Sequence, residues 1–411
     1  MTTLSSQDRR AYQANIWKSY LLHFLVHFQL WWGIWVLYLR DMRGFSLTQI
    51  TVLEAIFWGT AVLAEVPTGA VADRLGRKAS LALGVSCTAV AVLIFGLATS
   101  YEVVLVSYVA WAIGIAFFSG ADQALLFESL KALGREDEYQ KAAGRFGAIF
   151  AFGALAGGLA GAPIAAATDL SIPVLLSAAI VAPGLIVALS LREPALPKGE
   201  ARLAYSDLLR ESARTAIRLP PVRAMLVLSS LVTALTFAPT VFMQPFLADH
   251  GVEVGVMGFV LTPARVMAII GALVAYRVTA RLGTGGAFMA APLLMGAGYL
   301  LLGAWDTVFA FAAFPLIHFT NSLLMPPATD YLNRRIPNNQ RATVLSLRTM
   351  LVSVWAAVLM PVLGATADLA SLRAVFWIAA GVTVVALPLA LGLWRQADRR
   401  EGEEATEALS P

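Results

Sequence analysis

Twelve times along this chain the sequence runs for about twenty residues with almost no charge, and short polar breaks separate the runs. An α-helix of that length rises about 30 Å, the thickness of a bilayer's hydrocarbon core. Lipid forces the helical choice, because a helix satisfies its own backbone hydrogen bonds and an open strand does not. The runs cover 17–39, 49–71, 79–99, 103–127, 144–167, 171–191, 223–247, 255–277, 286–304, 307–331, 343–366 and 371–394, here spans 1 to 12. No soluble core could hide this much apolar surface, since 58% of the 411 residues are hydrophobic and 14% charged. An all-α membrane protein is expected.

Residues 1–16 are polar, and the run after them is too long and too rich in Trp for a cleavable signal, so it reads as a retained span. Cys87 is the sole cysteine and can form no intrachain disulfide. Charge sets the orientation. Arg40, Arg43 and Arg373 fall on one side, Arg265 falls inside span 8, and every other Lys and Arg adjoins the opposite side. The positive-inside rule makes that side cytoplasmic, with both termini there, in the plasma (inner) membrane. Asp41, Glu102, Asp169, Asp249, Glu253, Asp306 and Asp368 occupy the outer loops, so the alternation holds through all twelve spans.

The longest polar interruption, 192–222, divides the chain into 1–191 and 223–394, each with six spans, and a polar tail follows at 395–411. Within it, residues 203–218 set Leu208, Leu209 and Ile217 among Arg210, Arg214 and Arg218. That pattern suits an amphipathic helix on the membrane face, or equally a solvated linker helix. At one constant offset Gly69 matches Gly271, Glu128 matches Asp330 and Leu130 matches Leu332, while "QKA" at 140–142 recurs as "QRA" at 340–342. The halves therefore read as an ancient duplication, giving two pseudo-symmetric six-helix bundles. Such repeats suit transporters, whose bundles rock about a central site.

Between spans 2 and 3 stands "GAVADRLGRKASL", residues 69–81. Arg74, Arg77 and Lys78 suit an anchor on anionic headgroups. Gly69 lets a neighbouring helix approach and Gly76 permits a tight turn. An anchor leaves Asp73 unexplained. The stretch resembles the signature loop of the major facilitator superfamily: Gly, then Asp-Arg four and five positions later, then Gly-Arg-Lys. Gly69, Asp73, Arg74, Gly76, Arg77 and Lys78 meet it, with Val71 where Leu is commoner. The resemblance extends over nearly the whole chain and implies the major facilitator fold and alternating access. It implies for Asp73 a conformational latch between halves on the cytoplasmic side. The positive end of span 11, near Ala342, is the expected partner, an interaction worth up to about 2 kcal/mol. A plain topogenic cluster is the alternative.

Span 5 carries Gly144, Gly153, Gly157, Gly158 and Gly161. The spacing resembles the family's antiporter motif, although Gly158 replaces a Pro and Ala162 a Gly. The resemblance implies a leak-limiting seam near spans 5 and 8; generic tight packing is the other reading. Many proton-coupled exporters of this family also carry an Arg in span 4, and this chain has none there.

A charge near the bilayer centre costs roughly 2.5–3.5 kcal/mol on insertion scales, so each needs a partner, a cavity or a function. In the family, spans 1, 4, 7 and 10 line the central cavity, which directs attention to His23, His27, Asp122, His318 and Asn321. His23 and His27 share one helix face, as do His318 and Asn321. Asp122 leads the candidates for a proton-coupling group, with an ion pair to Arg145 as the structural alternative and Glu128 as a competing partner. Glu65, Glu54 and Glu128 are further coupling candidates. Arg265 suits an anion-binding residue or a partner for a carboxylate in its own half. Trp31, Trp32, Trp35 and Tyr38 suit an interfacial belt, or a pocket for an aromatic or cationic substrate.

No zinc-ligand cluster, phosphate-cradling loop or nucleophile–base arrangement stands out, so neither an enzyme nor an ATP-driven pump is expected, and no metal or cofactor. The reading is a monomeric secondary transporter that takes a small-molecule substrate and protons in a lipid bilayer, without nucleic acid. Proton-coupled export of small amphipathic molecules leads. The alternatives are a substrate-specific symporter or organic-anion exchanger, and, from another class, a non-transporting membrane sensor or binding protein.

Overall fold

The computed structural model describes residues 5–194, 205–337 and 340–407, without the side chains of 205–210, 212, 342, 402 and 404–407. Among the described residues every regular element is a helix. Ten stretches are long and apolar enough to cross a bilayer, and one of them, Val254–Ala304, is two helices meeting at Gly283, where φ is +67°. Ser6–Gly33 and Trp35–Met42 make a further span bent by 61°. With the joined helices counted separately, the spans number twelve, as the sequence pattern predicts.

Two compact units emerge. One holds Met1–Phe45, Ile56–Tyr205 and Glu253–Phe259, and the other holds Ser46–Ala55, Ser206–Val252 and Val260–Pro411. The start of span 2 and the start of span 8 thus each cluster apart from the rest of their own helix.

In the first unit, spans 3 and 4 meet at Gly84 and Gly114, where a Cβ on either would come within 3.0 Å of the other's carbonyl oxygen. Around them Leu22, Val26, Leu81, Val85, Phe118 and Leu125 form an apolar core. Asn15, fully buried, ties spans 1, 4 and 6 together. Its amide donates to Ser129 Oγ at 2.9 Å and to the Arg192 carbonyl at 2.7 Å, and its oxygen accepts the Arg192 N–H at 3.0 Å.

Span 1 leaves the α-helix after His27, with neither Gly nor Pro before Gly33 at the far end of the irregular stretch, where the chain bends. The interruption is sustained by partners elsewhere, as irregular backbone at membrane depth requires. The Leu30 N–H donates to Ser177 Oγ of span 6 at 2.8 Å, and the Gln29 amide donates to the Val26 carbonyl at 2.8 Å. Gln29 Oε1 in turn accepts from the Trp31 indole at 3.0 Å. The bend carries the second segment into the unit, which corrects the interfacial-belt expectation for two of its four aromatics. Trp31 is 3% exposed and Tyr38 0%. Trp31 packs edge-on to Trp111 and Phe95, and Tyr38 donates to the Phe95 carbonyl at 2.7 Å.

In the second unit, span 7 runs through the interior, with Ser229, Ser230, Thr233 and Thr236 buried along it. Tyr299 of span 9 donates to the Leu235 carbonyl, and Trp355 of span 11 donates to Ser230 Oγ at 3.1 Å. Residues 47–51 lie against Gly364, where any Cβ would strike Thr51 Oγ1. One turn on, Asp368 caps Leu47–Leu75, accepting the Leu47 N–H at 3.0 Å and the Thr48 N–H at 2.7 Å. The interruption at 192–222 contains a helix, Tyr205–Arg218, with Ala216 buried and Ile217 exposed. Residues 195–204, the side chains of Leu208, Leu209 and Arg210, and tail residues 408–411 lie outside the described residues.

Candidate substrate and coupling site

Span 4 splits at Gly120, whose φ of +74° suits glycine, into Tyr101–Phe118 and Ala121–Ala132. The split sets Asp122 in the first turn of the second segment, where a carboxylate is favoured. Its Oδ2 lies 3.4 Å from His23 Nδ1, with both side chains largely buried, at 15% and 12% exposure. The contact has ion-pair distance without hydrogen-bond alignment. The His23 ring stacks on Phe146 and meets His27 with centroids 4.4 Å apart, while His27 is edge-on to Phe150. Arg145 lies over the Tyr20 ring instead. The His23–His27 pair and Asp122, read separately from the sequence, therefore form one cluster. Glu65 stands nearby on span 2 and accepts from Ser119 Oγ at 3.2 Å, beside the same break.

The glycines of span 5 have several neighbours. Gly153, Gly157 and Gly161 face the unwound backbone at His27, Gln29 and Leu30. Gly158 faces Gly33 and Gly258, the latter at the start of span 8, and nothing stands within 4 Å of a Cβ at Gly144. Most of this stripe thus accommodates the break in span 1.

The loop between spans 2 and 3 turns at Gly76, φ +94°. Asp73 Oδ1 lies 3.4 Å from Arg77 Nη1, and Arg77 Nε lies 3.9 Å from Glu128 Oε1. Glu128 therefore belongs to this network. Arg74 is exposed, Lys78 is half-buried, and Gly69 lies in the last turns of span 2. Sequence reasoning missed Glu193, just past span 6, whose carboxylate accepts the Arg77 and Lys78 N–H groups, each at 2.8 Å. It supplies the cap that Gly76 lacks.

In the second unit, Asn321 Oδ1 lies 3.1 Å from Thr233 Oγ1, joining spans 10 and 7. His318 is edge-on to Phe314, and Arg265 stands within electrostatic range of it. Glu54 is half-buried on the part of span 2 that clusters here. Arg348 is the second residue the sequence reading missed. Assigned to the loop-side charges, it sits two turns inside Arg341–Leu369 with Nη1 2.6 Å from Met325 Sδ. Its distance from the helix start was the available signal.

The family model for the Major Facilitator Superfamily matches residues 20–358, with a second match at 226–410. The chain belongs to this superfamily. Solved members share the fold at low identity. The nucleoside transporter NupG aligns with a TM-score of 0.67 at 16% identity, over 92% of this chain and 99% of that one. A bacterial homolog of the human lysosomal transporter Spinster, inward-facing and occupied, gives 0.72 at 17%, over 96% and 98%. The POT family transporter PepTSo gives 0.71 at 12%, over 94% and 98%. No curated protein sequence matches significantly. Membership in the superfamily makes the chain a multi-pass membrane transporter. Among the described residues no group of three or more His, Cys, Asp or Glu side chains could hold a metal ion.

Proposed function

We propose that this chain is a secondary active transporter that exports small amphipathic molecules in exchange for protons by alternating access. The observation that carries the reading is the His23–Asp122 pair, two proton-exchanging groups 3.4 Å apart and largely buried on spans 1 and 4. Such groups inside a membrane mark proton relays. His27 extends the pair along span 1, and Glu65 stands at the adjoining break. Glu54 and Glu128 are secondary coupling candidates. His318, Asn321 and Arg265 are the second unit's substrate-binding candidates. The signature residues Gly69, Asp73, Arg74, Gly76, Arg77 and Lys78 act as a conformational latch, and the glycines of span 5 limit leak. In this reading the protein works as a monomer in the plasma (inner) membrane, with both termini cytoplasmic.

Proteoliposomes with an imposed pH gradient and an interior pH-sensitive dye test it. Substrate addition should drive proton movement in the antiport direction. Asp122→Asn should abolish that movement while substrate counterflow persists; full coupling in this variant sinks the assignment. Movement in the opposite direction indicates symport, and none with any substrate indicates a sensor.

One observation favours a second substrate reading, the organic anion: Arg265 and Arg348 of the second unit lie within spans, and among the described residues no carboxylate is within ion-pair distance of either.

A further inference from the structure

Three spans of the second unit converge on Met325. Its sulfur lies 3.4 Å from Thr233 Oγ1 of span 7 and 2.6 Å from Arg348 Nη1 of span 11, and Asn321 is one turn away on span 10. A thioether is a weak acceptor, whereas a guanidinium presents five donors in a planar fork. Arg348 Nε is buried and makes no hydrogen bond. Among the described residues no carboxylate lies within ion-pair distance of Arg348 or Arg265. His318, near Arg265, also has a buried and unpartnered nitrogen, Nε2.

Charges inside a membrane span are paired, hydrogen-bonded or functional. These two are half-buried and have no acid within ion-pair distance among the described residues, and Arg348 contacts a sulfur. Met325 also lines an open groove of about 530 Å³ between spans 8 and 10, with Ser322, Thr329, Asp330 and Asn333. Asp330, the one acid there, is taken up by Arg334 at 2.9 Å, and Asn333 Oδ1 is buried without a partner. The groove leads to the guanidinium through one flexible side chain.

We infer that Arg348 anchors the carboxylate of an amphipathic substrate that enters along this groove, displacing the Met325 sulfur. The planar fork fits a carboxylate bidentately. Asn321 and Thr233 hold the polar part beside it, and Arg265 with His318 supplies further positive charge and donors. This inference rests on the transporter reading and narrows its cargo to monocarboxylates with an apolar body.

The test uses the purified full-length protein with butyrate, hexanoate and octanoate, each beside its neutral amide. Thermal unfolding should shift upward with the acids and not with the amides, and octyl phosphate should stabilise less than octanoate. Arg348→Gln should weaken octanoate binding at least tenfold, Arg348→Lys should retain part of it, and Arg135→Gln, in the turn after span 4 of the first unit, should leave it unchanged. Equal shifts from acids and amides overturn the site, as does an unaltered shift in Arg348→Gln or no shift from any acid. Octyl phosphate binding more tightly than octanoate overturns the carboxylate assignment. Should Arg348→Gln fail to fold, the acid–amide contrast and Arg348→Lys still decide. The two readings fail separately. Proton flux lost in Asp122→Asn, with no acid–amide contrast, removes only the carboxylate site; the contrast with no proton flux removes only the coupling.

Discussion

Replacing Gly161 by Ala adds one methyl group where two backbones already touch. The new Cβ would meet the Leu30 carbonyl oxygen, stand 2.5 Å from its carbon and 3.0 Å from the Leu30 Cα. Ordinary carbon contact begins near 3.5 Å and the oxygen stands closer still, so span 5 and the break in span 1 must part by at least about 1 Å. Neither side can rotate away, because the obstacle is main chain. Overpacking of this kind costs about 1–3 kcal/mol, and the better helix propensity of Ala returns about 1 kcal/mol. With the contact at the severe end, the net loss is about 1–2 kcal/mol. Gly144→Ala is the internal control, since a Cβ there meets nothing within 4 Å. It should gain up to about 1 kcal/mol, leaving the variants about 2–3 kcal/mol apart in one helix. Thermal unfolding of the detergent-purified protein, followed by tryptophan fluorescence, reads the difference. Since Gly153 faces the His27 backbone on the same stripe, displacement at Gly161 should also lower the proton coupling proposed for the His23–Asp122 pair. Gly161→Ala as stable as Gly144→Ala, or more so, would refute the reasoning.

Asp368→Ala strips the acceptors from the Leu47 and Thr48 N–H groups and should cost about 0.5–2 kcal/mol, seen as faster amide exchange in the first turn of span 2. Glu193→Ala should likewise speed exchange at Arg77 and Lys78, whereas a variant at exposed Arg74 should not. Asp169, in the loop after span 5, has its carboxyl held below the usual range by hydrogen bonds from the Ser171 hydroxyl and N–H. Its contribution to stability is present above the ordinary carboxylate pKa and disappears as pH falls through the depressed value. Ser171→Ala should move the Asp169 carboxyl titration upward in carbon NMR; an unmoved titration assigns the depression elsewhere.

The spans were legible because bilayer thickness is a one-dimensional constraint that shows directly as run length. The turn at Gly76 was equally readable, since a local residue produces it. The break in span 1 was not: Gly33 stands at its far end, six residues after the α-helix stops, and the partners that sustain it, Ser177 and the glycines at 153, 157 and 161, lie more than a hundred positions away. The expectation that these glycines form a seam near spans 5 and 8 came from their resemblance to the family's antiporter motif. Spacing identifies a small-residue face without naming what lies on it, and only Gly158 here faces span 8. Arg348 escaped because charge near a helix end is ordinarily solvated, and its burial depends on the packing of span 10.

His23 and Asp122 were each legible as polar residues in apolar runs, but their pairing required both irregularities at once. His23 precedes the break in span 1 by one turn, and Asp122 follows the split at Gly120 by two residues. Each break frees backbone groups that a continuous helix would have satisfied, so the fold supplies replacements, among them Ser177 Oγ for the Leu30 N–H. Such local irregularity is costly in lipid and persists where it serves a site. In the proposed antiport reading, two breaks flanking one His–Asp pair favour that pair, over Glu54 or Glu128, as the place where proton binding is coupled to movement of span 1 against span 4. The glycine stripe beneath His27 then gains a purpose beyond packing: it sets the depth of the span 1 break, and with it the position of His23 against Asp122.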